Sequence, residues 1–267
     1  MEDSEINIFA LGFLFFIVVY FLYLIYYAIG LYDLNPFLRP LPLKSYEKRL
    51  LEKHIPSLKY LSVSKKEKFY KRVAWFKTKK TFSFKSEVVN REEIILLISA
   101  AGMLLTLGFR SYKFIRTIRR IVIHPTDYYS RFNKQYHLGE YNPGMKALAF
   151  AADTLTEGFE DASDNLNLAI HEFAHALYFE TTGKNSWEAL RFQWGFRKLK
   201  TIHSDEKLMS KLLKDDYFRT YASANSFEFL AVISEHFVET PRDLKSRNHS
   251  LYNVLEKMYN ISFLKGS

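Results

Sequence analysis

The chain has 267 residues, a formal net charge of +9 and no cysteine, with 24 Phe and 18 Tyr. That length suits one sizeable domain or two small ones, and the aromatic content supports a buried core rather than wholesale disorder. The lack of cysteine excludes disulfides, thiolate catalysis and Cys-based zinc sites, so any metal must be held by His, Asp or Glu.

Residues 8 to 32 (IFALGFLFFIVVYFLYLIYYAIGLY) run for 25 residues without a charge. About 20 apolar residues are needed for a helix to cross a bilayer, and tyrosines gather at the C-terminal end, where an interfacial belt would sit. The leader MEDSEIN is acidic where a signal peptide starts basic, and the apolar stretch is too long for one, although Ala28 and Gly30 resemble a cleavage site. The pattern predicts a short acidic N-terminus (1–7) and an uncleaved transmembrane helix (8–32). The first basic residue is Arg39, and Lys and Arg then crowd as far as Lys85. The positive-inside rule therefore predicts a single-pass membrane protein with its catalytic domain in the cytoplasm. The same distribution argues for a basic face beside an anionic membrane and against direct nucleic-acid binding, since no nucleic-acid motif accompanies it.

Residues 33 to 45 carry three prolines and read as a linker. Residues 46 to 77 are charged and helical in rhythm, with a helix start at Ser62 to Lys66. KTFSFKSEVV (80–89) alternates weakly, and Asn90 can cap a helix from Arg91. The apolar run Ile94 to Phe109 is short for a bilayer and follows Glu92 and Glu93, so it reads as a buried core helix. IRRIVIH (118–124) is β-branched and reads as a strand. Residues 137 to 145 read as a turn-rich loop, 146 to 155 as a second strand and 158 to 164 as a polar loop. A helix is expected from Asp164 or Asn165 to Gly183, mostly helical chain over 184 to 219, and another helix from Asn225 to Val238 ended by Pro241. The predicted fold class is α+β, mostly helical with a small sheet, in one domain over 46 to 261.

The segment LNLAIHEFAHALYFE (166–180) carries the chemistry. Residues four apart on a helix share a face, so His171 and His175 can bind one metal ion, and Glu172 beside the first can take a proton from water at that metal. Apolar neighbours bury the helix, and buried imidazoles beside a buried glutamate call for a partner such as a metal. The competing reading is an internal His–Glu hydrogen-bond cluster. A catalytic zinc needs a third protein ligand and an open position. Glu228 is a candidate, but Asn225 and Glu228 also spell a helix cap, and spacing alone leaves the two readings open. Glu235, two turns further on the same face, could orient one of the histidines from behind or be a plain helix-face acid.

The sequence His171-Glu172-Phe173-Ala174-His175-Ala176, followed by Tyr221-x6-Glu228-Phe229-x-Ala231, resembles the Mlc titration factor A family of zinc-dependent peptidases. It is more distantly similar to the catalytic domain of the anthrax lethal factor. The resemblance runs from about residue 46 to about residue 261 and implies a zincin-like peptidase domain. It implies Zn2+ held by His171, His175 and Glu228, Glu172 as general base, and Tyr221 as the donor that stabilises the oxyanion. Peptide or protein substrates follow, and residues 146 to 152 are the expected strand edge along which one would lie. The resemblance also implies an alternative, a regulatory protein that sequesters a transcriptional regulator. The membrane segment departs from the family's soluble bacterial members.

Overall fold

A computed structural model describes residues 2–28, 40–85, 88–130, 134–214 and 217–264, which fall into two units, Met1–Leu41 and Pro42–Ser267. In the first unit, helix α1 (Glu2–Ala28) contains a stretch, Ile8–Ala28, of 21 residues with a mean hydropathy of 2.8. At 1.5 Å per residue this stretch spans about 31 Å, the thickness of a bilayer's hydrocarbon layer. It is apolar around its whole circumference and is long and apolar enough to cross a membrane. The last part of the expected span, 29–32, and most of the expected linker, 33–39, lie outside the described residues.

The second unit is mostly helical with a small sheet. Helices α2 (Ser45–His54) and α3 (Val63–Lys79) precede strand β1 (Thr81–Phe84). Helix α4 (Arg91–Leu105) is buried on nearly every side, packing on α3 and on the later helix α6 (Leu168–Thr181). It begins at Arg91, where the expected helix starts, and ends at Leu105, four residues before the apolar run ends at Phe109. Asn90 does occupy its N-cap position, but in the left-handed conformation (φ 53°) and with no side-chain cap bond, so its contribution is to turn the backbone. Strand β2 (Arg120–His124) follows, then a hairpin of β3 (Tyr128–Ser130) and β4 (Gln135–His137). Next come β5 (Gly139–Asn142) and β6 (Ala147–Ala151), and helix α5 (Ala152–Glu160).

The main sheet has the order β1-β2-β6-β5, with β1, β2 and β6 parallel and β5 antiparallel to β6. Three expectations need correcting. The strand expected to run from 146 to 155 ends at Ala151, because Leu155 and Phe159 recur at helical spacing and bury one face of α5. Part of the expected polar loop at 158–164 therefore belongs to that helix. Residues 146–152 are not a sheet edge: β6 is paired on both sides, and the edge beside it is β5, inside the stretch expected to be a loop.

Helix α6 lies against α4 because residue 102 is glycine. A Cβ there would come within 2.5 Å of the Phe173 ring. Phe173 is fully buried and meets Phe76 and Phe114 edge-on, at centroid separations of 5.7 and 5.4 Å. Burying such a ring contributes roughly 1.5–3 kcal/mol, and it fixes the back of α6 while the opposite face carries His171 and His175. Helices α7 (Trp187–His203), α8 (Glu206–Leu213), α9 (Ser226–Glu239), α10 (Pro241–Arg247) and α11 (His249–Tyr259) complete the unit. Pro241, expected to end a helix, also occupies the first turn of the next one, where its missing N–H has no intrahelical partner to lose.

Candidate metal centre

The centre forms where α6 and α9 pack together. The start of α6 is set by Asn167, whose side chain accepts from the Ile170 N–H at 3.1 Å and donates to Gly158 O and Glu239 Oε1, each at 3.0 Å. One residue thereby ties α5, α6 and α9 together. The start of α9 is set by Asn225, which accepts from the Phe227 and Glu228 N–H groups. With the cap supplied by Asn225, the Glu228 side chain is free to turn inward.

That carboxylate lies 3.0 Å from His171 Nε2 and 3.6 Å from His175 Nε2. One ligand atom from each of His171, His175 and Glu228 falls within 4.8 Å of the others, so the group could hold a metal ion. Ligands 2.0–2.1 Å from a tetrahedral zinc sit about 3.3 Å from one another. The two separations to Glu228 bracket that edge length, and the donor set of two imidazoles and a carboxylate suits such an ion.

Glu235 is 1% exposed, which overturns the reading as a plain helix-face acid. Its Oε1 receives His171 Nδ1 at 2.8 Å and pairs with the Arg219 guanidinium, and its Oε2 accepts the Asn167 backbone N–H at 2.8 Å. The bond to Nδ1 directs Nε2, the other ring nitrogen, toward the site. Burial pulls the His171 pKa down, but the hydrogen bonds to Glu228 and Glu235 outweigh it and push it up to about 10. Burial acts against Glu228 as well, yet the two histidines hold its carboxyl well below the usual range. Without a metal, His171 and Glu228 form an ion pair.

Glu172 sits on the other side of the centre. Burial raises its pKa, opposed by the charges of His171 and His175 and by a hydrogen bond from the Tyr141 backbone in β5. The close approach of β5 depends on Gly139, where a Cβ would come 2.5 Å from Leu168 Cδ1 and 3.1 Å from Glu172 Oε1. Tyr221 lies in a single turn of 3-10 helix (Thr220–Ser223), with its ring 6.0 Å from that of His171. It is 53% exposed, and burial of its remainder and the Glu228 carboxylate beside it push its pKa up to about 12. All six residues singled out in the sequence, His171, Glu172, His175, Tyr221, Glu228 and Glu235, therefore meet in one place.

Sequence reasoning missed Arg219, Asn167 and Tyr128. Tyr128 buries a hydroxyl with no hydrogen-bond partner among the described residues, and burial, Glu140 and Glu172 all raise its pKa. Glu239 was missed too, although the spacing of Glu228, Glu235 and Glu239 places all three on one helical face.

Residues 35–260 match the family model described as glucose-regulated metallo-peptidase M90. An uncharacterized protein of Synechocystis sp. is 27% identical over 237 residues, covering 84% of this chain and 86% of its own length.

Proposed function

The chain belongs to the glucose-regulated metallo-peptidase M90 family, that of Mlc titration factor A, and on that premise we propose that it is a membrane-anchored zinc peptidase with a zincin-like catalytic domain. The observation that carries the reading is the convergence of His171, His175 and Glu228, with Glu172 beside them and Glu235 behind His171. A zinc held by His171, His175 and Glu228 would supply a Lewis acid able to polarise a carbonyl and acidify water.

The chain's own residues do the rest. Glu172, whose proton affinity burial has raised, takes a proton from the attacking water and returns it to the leaving amine. Tyr221 keeps its proton at neutral pH and donates to the oxygen that gains charge as the carbonyl is attacked. Glu235 holds His171 in the tautomer and orientation that present Nε2. An extended substrate adds to the open flank of β5, beside Glu172, with backbone pairing giving affinity for peptides in general. Helix α1 anchors the enzyme, and the basic residues that begin at Arg39 keep the catalytic domain on the cytoplasmic side.

The test compares the wild-type chain with Glu172→Gln in peptide hydrolysis and metal content. The variant is expected to keep the metal and lose hydrolysis. A wild-type chain that cleaves no peptide sinks the peptidase reading, and a Glu172→Gln chain that cleaves as fast as the wild type removes Glu172 as the base. If the variant loses hydrolysis but preserves the cellular phenotype, the protein acts instead by sequestering a regulator.

A further inference from the structure

Helix α7 exposes a face that the peptidase reading does not use. Advancing 100° per residue, Trp187, Leu190, Arg191, Trp194, Arg197 and Lys198 fall within a single arc of about 120°. Trp187 is 87% exposed, Leu190 45% and Trp194 42%, an unusual outlay of large apolar surface on one helix. No acid lies on the arc. The nearest on the helix, Glu188, is occupied: its carboxylate accepts from the backbone N–H groups of Arg110 and Ser111, and its charge acts on Lys68 and Arg72 of α3 and on Arg191 at the edge of the arc. Lys198 places its ammonium 3.8 Å over the Trp194 ring. Beside that ring, Lys257 of α11 lines the same hollow, with Ser250 and Asn253.

Indole rings flanked by cations, with no acid among them, match the level of a bilayer where acyl chains meet anionic headgroups. A protein partner of similar chemistry would need a matching acidic apolar surface. The membrane is already implied by α1, and its cytoplasmic leaflet is the anionic one. We propose that the α7 face docks the catalytic unit onto the surface of an anionic bilayer, with Trp187 and Trp194 at headgroup depth and the exposed Arg197 and Lys198 on lipid phosphates, while Arg191 stays folded over the Phe109 ring. The inference rests on the reading of α1 as a membrane span.

The test uses the full chain in vesicles, because its three tryptophans include none in α1: the third is Trp75, packed against Tyr112. Phosphatidylglycerol brominated on its acyl chains is expected to quench tryptophan emission, while brominated phosphatidylcholine leaves it unchanged. Trp187→Phe with Trp194→Phe should abolish the quenching. Replacing Arg197 and Lys198 by Gln should weaken docking by roughly fivefold per cation removed. Equal emission in brominated and unbrominated phosphatidylglycerol, or quenching that survives in the double Trp variant, overturns the proposal. So does a concentration-dependent dimer that Trp187→Glu dissociates, which would assign the face to a second copy. Anchoring is read separately, by co-flotation with vesicles at high salt. A spanning helix survives that wash and an electrostatic contact does not, so the two readings can fail independently.

Discussion

On its helical side, where α6 meets α9, the centre provides a carboxylate for each ring nitrogen of His171, and the carboxylate behind it is itself held by Arg219 and Asn167. On its strand side, where β5 and the β3–β4 hairpin lead toward Glu172, Tyr128 and His137 bury a hydroxyl and a ring nitrogen that have no hydrogen-bond partner among the described residues. The helical side also leaves Arg219 Nε and Glu239 Oε2 buried with no hydrogen-bond partner among the described residues. Both ring nitrogens of His171 and both oxygens of Glu235 are engaged, however, and such a cluster holds its geometry before anything binds. Unpaired polar atoms in a buried setting are costly unless something arrives to meet them. The contrast separates a half whose carboxylates and imidazole are tied to one another from a half whose buried polar atoms are less fully paired. It implies that damage to each half should be separable by measuring metal and turnover independently.

The largest separation is expected from Glu172→Gln. Hydrolysis of a peptide substrate should fall by roughly 10²–10⁴, the usual contribution of a positioned general base, with metal content unchanged. On the helical side, Glu235→Gln should weaken metal affinity by roughly 10–100-fold, as the partner of a ligating histidine does. Competition against a chromogenic chelator measures it, and an unchanged affinity would show that His171 needs no support from behind.

Gly139→Ala sharpens the contrast from the strand side. The added methyl presses on Leu168 and on the Glu172 carboxylate. A shift of the base by a fraction of an ångström should slow turnover by roughly tenfold or more, while the chelator competition reads the same affinity as wild type. Loss of metal in this variant would mean that the two halves are not independent.

The smallest effect concerns Glu239, at the end of α9. Burial is the main cause that raises its carboxyl from 4.5 to about 8, and its Oε2 is buried with no hydrogen-bond partner among the described residues. A raised carboxyl means that the unfolded chain releases the proton first. Stability should therefore fall as pH rises from about 4.5 to about 8, then level off once both states are ionised. Glu239→Gln removes this contribution. Thermal unfolding at pH 5 and pH 8 should show a smaller drop for the variant than for the wild type. An equal drop would place the proton elsewhere.

The same division marks what the sequence makes legible. A helix repeats every 3.6 residues, so His171 with His175 and Glu228 with Glu235 can be placed on common faces from spacing alone. The buried α4 and the exposed α1, both apolar, are told apart by length. Strands β3, β4 and β5 span only three or four residues each and show no clear alternation, so the edge that flanks Glu172 is hidden in a stretch of turn residues. Arg219 and Asn167 reach the site through tertiary packing, 16 and 68 residues from Glu235, and no local periodicity points to either. Asn90 shows a further limit: its position at a helix start is readable, whereas its left-handed backbone is not.

Metal content of the purified full chain tests the central claim most directly. Elemental analysis of protein prepared without chelators, and again after zinc addition and desalting, is expected to give about one zinc per chain. His175→Ala should reduce this to trace levels while α6 stays folded by circular dichroism. A wild-type chain that holds no zinc in either preparation, or a His175→Ala chain that holds as much as wild type, would contradict the assignment of His171, His175 and Glu228 as the metal site.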